Sequence, residues 1–173
     1  MKRLFWILVA SAAVVLAQDK QTVGTNIELT VYLIAGSAQG TADEVPQDLE
    51  PTMKQLHSVF AYKSYKLSES FILRGRAGRA NTEGIVPGNG LHYRFGYNVL
   101  RVSGDPPRAV HIDGLNLMLT RTSIRAGKEE TETIASIYTD LDVRDGQKTV
   151  VGKSSLNIGG DALILVIVPK VIE

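Results

Sequence analysis

Ala162-Leu163-Ile164-Leu165-Val166-Ile167-Val168 is the stretch whose reading decides the fold. An uninterrupted apolar run rich in Ile, Leu and Val is what a central strand shows when it is covered on both faces. Two covers are therefore needed, for instance the one amphipathic helix and a second sheet. Pro169 belongs near that strand's end, because proline has no N–H to give the ladder.

Working outward, Leu141 to Val151 reads as strand, Asp145-Gly146 turn, strand. Earlier, Ile27, Leu29, Val31 and Leu33 alternate within Asn26–Ala35, the period of a half-buried strand. A helix is predicted over about 47–60, with Leu49, Met53, Leu56 and Phe60 on one stripe and Pro51 harmless in the first turn. Lys63–Leu73 alternates with Tyr65, Leu67, Phe71 and Leu73 on one face, and Leu91–Val99 does so with Tyr93, Phe95 and Tyr97. Between these two runs lies a connection full of turn formers: Gly75, Gly78, Gly84, Pro87, Gly88, Asn89 and Gly90. Two more strands follow at about 109–121 and 132–144, set apart by Asp105-Pro106-Pro107 and Arg125-Ala126-Gly127. The expected fold is α+β or mainly β, an antiparallel sheet or sandwich of about six to eight strands with one helix (about 47–60) laid across it.

The chain has 173 residues, 44% apolar and 21% charged, with 16 glycines, 6 prolines and no cysteine, which excludes disordered, collagenous and disulfide-stapled classes. A net charge of +1 leaves no excess to drive binding to nucleic acid or anionic lipid. Met1-Lys2-Arg3, the apolar run Leu4–Ala17 and Val15-Leu16-Ala17 together read as a signal peptide over 1–17. That run rises only about 21 Å as a helix against a hydrocarbon core of roughly 30 Å, so no stable membrane span is expected after cleavage. Losing Lys2 and Arg3 turns 19 basic and 18 acidic groups into 17 and 18. A polar lead at 18–25 precedes a single globular domain at 26–173. With no cysteine and no Asn-x-Ser/Thr acceptor, the expected location is periplasmic or secreted, in a bacterium.

"DLDVRDGQKTVVGKSS" followed by "DALILVIVPKVIE", over 140–172, resembles the closing β-hairpin region of bacterial secretins, which carry a strand, a "(D/N)GQTVVIGG" turn-strand and an apolar strand ending in "TPRI(I/V)". Gly152-Lys153 departs from the paired glycines of that pattern. Over its mature length the chain is similar to small exported β-rich proteins of bacteria with no assigned activity, a resemblance that implies no catalytic residues.

Among chemical candidates, Gly152-Lys153-Ser154 fails as a phosphate loop, because Gln147 stands where the first glycine is needed. His57, His92 and His111 match no ligand spacing, so no metal site and no cofactor are expected. His111 and Asp113 share a strand face, where a carboxylate can orient an imidazole. Asp140 and Asp142 do likewise, with Cβ atoms about 7 Å apart, a separation suited to inverting glycoside hydrolysis or Ca²⁺. Arg74, Arg76 and Arg79 make the densest positive patch, able to hold phosphate or carboxylate. A solvated strand face or charged loop tip explains each of these sets as well. The expected function is a non-enzymatic envelope protein that binds or scaffolds another protein in a secretion or pilus assembly. The alternatives are a hydrolase of cell-wall glycan using His111, Asp113, Asp140 or Asp142, and a small-ligand or glycan-binding module using Arg74–Arg79.

Overall fold

The computed structural model describes residues 25–88, 90–156 and 161–172. The expected leader at 1–17, the lead up to residue 24, Asn89 and residues 157–160 lie outside the described residues. In order the elements are β1 (Asn26–Ser37), a 3-10 turn (Gln47–Leu49) running into α1 (Glu50–Val59), β2 (Ser64–Arg76), β3 (Ala80–Val86), β4 (Leu91–Tyr97), β5 (Val99–Ser103), β6 (Ala109–Arg125), β7 (Lys128–Arg144), β8 (Thr149–Ser155) and β9 (Ala162–Ile172). Two antiparallel sheets result, β2-β1-β9-β8 and a second of β3, β4, β5, β6 and β7. In the second, β4 and β5 both pair with β6 in one continuous register, from Leu91↔Arg121 to Ser103↔Ala109, so the nine strands among the described residues occupy eight lanes. No helix among those residues is long and apolar enough to cross a membrane.

β9 is the strand that the apolar run predicts. Leu163, Leu165 and Ile167 enter the core between the sheets, beside Phe95, Ile112, Leu115 and Leu117. Ile164 and Val166, pointing the opposite way as the pleat requires, join Ile34, Leu49, Met53, Leu56 and Tyr65 under the helix. The helix is held further by Lys148, whose ammonium donates to Asp48 Oδ2 at 2.9 Å and to the Asp48 carbonyl. That hydrogen bond holds the Asp48 carboxyl below its ordinary pKa.

Four sequence expectations change. The glycine-rich connection contains a strand, β3, because Gly84 is needed for packing and not for a turn: a Cβ there would sit 2.6 Å from Tyr93 Oη. Tyr65 and Leu67 do not share a face with Phe71 and Leu73. The register slips at Leu33↔Glu69 and Ile34↔Leu67, and the extra residue, Ser68, turns the first pair to the helix and the second to the other sheet. Asp145-Gly146 is a corner between sheets, not a hairpin, since β7 pairs with β6 while β8 pairs with β9. There the Asp145 N–H donates to the Arg108 carbonyl, the Gly146 N–H to the Pro169 carbonyl, and the Val171 N–H to Asp145 Oδ1. Finally, β6 and β7 run past the expected 121 and 132 to meet at Ala126-Gly127, a two-residue turn with φ of 49° and 75°.

That turn puts an alanine in the left-handed region, which costs an L-residue with a Cβ roughly 1–2 kcal/mol and which Asn-Gly satisfies in tight hairpins. Ala126→Asn is therefore expected to stabilise the protein by about 0.5–1 kcal/mol in urea titrations, with an unchanged m-value.

Candidate functional site

The outward face of the second sheet collects the polar residues of β5, β6 and β7. At one end, β6 opposes Asp113 and Gly114 to the single residue Asp140, between the rungs Ile112↔Leu141 and Leu115↔Thr139. Gly114 fits this bulge with φ of 64°, and its N–H donates to Asp140 Oδ1 at 2.5 Å, so the carboxylate takes the place of a ladder carbonyl. Asp140 is thereby committed to the backbone.

On the rung next to the bulge His111 stands opposite Asp142 on β7 and Arg101 on β5. His111 Nδ1 lies 2.5 Å from Asp142 Oδ1, and Nε2 lies 2.6 Å from the Oγ of Ser103. Ser103 is the diagonal neighbour, since it faces Ala109 across the ladder. Arg101 donates to Asp113 Oδ2 at 2.6 Å. The His111 side chain is 33% exposed and that of Asp142 73%. The four sequence candidates thus gather at one end of one sheet in a changed pairing: His111 with Asp142, Asp113 with Arg101, Asp140 with Gly114. Ser103 was missed. Its nearness to His111 depends on the register of the β5–β6 hairpin, and nothing in the spacing of Ser103 and His111 announces that register.

The arginine patch is less concentrated. Arg74 Nε donates to Glu28 Oε2 on β1 at 2.6 Å, Arg76 closes β2, and Arg79 lies in the link to β3. His57 is a boundary residue of the helix, 2.9 Å from Asp43 Oδ2 and edge-on to Tyr65. His92 is exposed on β4. Among the described residues no three of His, Asp and Glu are grouped so as to hold a metal ion.

Farther along the same face runs an open groove of about 640 Å³, lined by Glu83 and Ile85 of β3, His92 and Arg94 of β4, Met118 of β6 and threonines of β6 and β7. Behind the groove, on the core face of β4, Tyr93 packs over Gly84 and stacks 4.8 Å from Phe71; burial, then the charge of Glu69, pushes the Tyr93 phenol up. Beyond Leu91↔Arg121, the last rung with β4, β6 keeps only β7 as a ladder partner among the described residues. Residues 122–131 therefore project as a two-stranded ribbon. Thr122 and Thr131 hydroxyls meet across it at 3.2 Å, and near its tip Ile124 is 80% exposed. Ile124 lies two residues from Thr122 and so continues the groove's face. No protein-family model, curated protein or solved structure matches this chain.

Proposed function

We propose that this chain is an exported bacterial envelope protein that binds another protein through the groove and ribbon of its second sheet, within a secretion or pilus assembly. The observation that carries the reading is the projecting ribbon. A two-stranded ribbon is marginally stable alone in water, and one with unpaired edges and an exposed Ile124 suits strand addition by a partner. Ile85, 58% exposed on the groove's wall, widens the apolar contact, while the threonine hydroxyls supply the polar contacts of an interface rim. The secretin-like phrasing of 140–172 supports the setting.

The test places a photo-crosslinking residue at position 124 or 85, with position 58 on the helix as control, and irradiates intact cells. One discrete adduct with a large outer-membrane protein from 124 and 85, absent from 58, is expected. Ile124→Asp is expected to cut co-purification at least tenfold with thermal stability retained, since a charge at the centre of a small contact loses more than about 1.4 kcal/mol. A monomer that crosslinks to nothing and leaves gentle detergent extracts alone overturns the reading.

A further inference from the structure

We propose that Ser103, His111 and Asp142 form a nucleophilic acyl-transfer site that hydrolyses carboxylic esters, an activity separate from partner binding. His111 and Met118 stand opposite Asp142 and Ser136, six positions apart on β7 and about 20 Å at strand rise, so this site and the groove are distinct places on one face.

An ionised carboxylate only accepts hydrogen bonds, so at 2.5 Å from Asp142 Oδ1 the His111 Nδ1 carries the ring proton. In the neutral ring Nε2 then holds a lone pair, and the Ser103 hydroxyl 2.6 Å away donates to it. A serine whose proton already points at a neutral imidazole, itself oriented by a carboxylate, is the arrangement that acyl transfer needs, and it is recognised by geometry and not by chain order. The three side chains come from three adjacent strands of one sheet, β5, β6 and β7, so each is set by ladder register and the ring is gripped at both nitrogens. Ser103 is the last residue of β5 and is half-buried, and the chain turns at Gly104, with φ of 80°, directly after it. Arg101, two residues earlier on the same face, donates to Asp113 on the side of the His111 rung away from Ser103, so it leaves the serine's approach clear.

In the reaction Ser103 Oγ attacks the ester carbonyl while its proton passes to His111 Nε2. The tetrahedral intermediate collapses by breaking the bond to the leaving oxygen, which takes that proton and departs as alcohol. Water then attacks the acyl-serine, giving one proton to Nε2; that proton returns to Ser103 as the carboxylic acid leaves. The sum is ester plus water to acid plus alcohol. Esters, not amides, are the fitting class, because Asp142 is 73% exposed and solvent screens its support for the imidazolium, which favours leaving groups that depart easily.

The experiment treats the full chain with a fluorophosphonate and maps the adduct by mass spectrometry, alongside turnover of p-nitrophenyl acetate. The expected result is an adduct on Ser103, labelling slowed at least a hundredfold in His111→Gln, and turnover reduced at least a hundredfold in Ser103→Ala. Asp142→Asn is expected to slow labelling only about fivefold, given its exposure. Should His111→Gln unfold the sheet, Ser103→Ala, which removes a single hydroxyl, carries the turnover arm alone. No adduct at Ser103 in the native protein, a labelling rate unchanged by urea or by His111→Gln, or turnover that survives Ser103→Ala would each overturn the assignment.

Discussion

The Phe95→Ala protein is expected to melt roughly 6–20 °C below its parent, the larger of two losses that the packing predicts. Phe95 is fully buried in the middle of β4, with Thr82 and Leu117 as its ladder neighbours on β3 and β6, and its ring meets that of Phe71 edge-on at 5.5 Å. Phe71 in turn stacks on Tyr93 at 4.8 Å with 7° between planes. Truncation removes the ring, leaves a void that backbone held by two ladders cannot close, and deprives Phe71 of its edge contact. Phe→Ala at such a site costs about 3–5 kcal/mol, and in a chain of this length each kcal/mol moves the midpoint about 2–4 °C. Calorimetry checks it; a midpoint within about 2 °C of the parent would mean that the inter-sheet core does not close around this ring.

The second loss separates the two cores. Ile164→Ala and Leu165→Ala remove fully buried side chains from consecutive positions of β9, and each is expected to cost about 2–5 kcal/mol. Their local consequences differ. Ile164 supports Leu49, Met53 and Leu56, so its truncation is expected to loosen amide exchange over residues 49–59 before the sheets yield. Leu165 faces the other sheet, so its truncation leaves helix protection tied to global unfolding. Equal exchange profiles in the two variants would contradict the division of burial across β9.

What the sequence made legible was periodicity. Two-sided cover of Ala162–Val168, the helix over Gln47–Val59 and the alternation of β1, β4 and β6 follow from where apolar side chains recur, a local property. Register is not local. Ser68 reverses the faces of β2, Ile134 enters as an extra residue between the rungs Leu119↔Ala135 and Thr120↔Thr133, and Gly114 makes the bulge beside His111; in each case one added residue changes which side chains meet. Gly114 within an alternating strand was the available sign of that bulge. His111 with Asp142, and Ser103 with His111, became visible only once the ladders were placed. β3 hid among glycines because Gly84 answers to Tyr93 and not to the backbone.

The pairing of β1 with β9, from Asn26↔Ile172 to Gly36↔Ala162, bears on how the polypeptide comes into being. Among the described residues the first strand waits for the last before either hydrophobic interior can close, and loop closure over such a span makes assembly slow. Ala162–Val168, an uninterrupted apolar run, follows its ladder neighbours β1 and β8 in the chain, so both are already made when it appears.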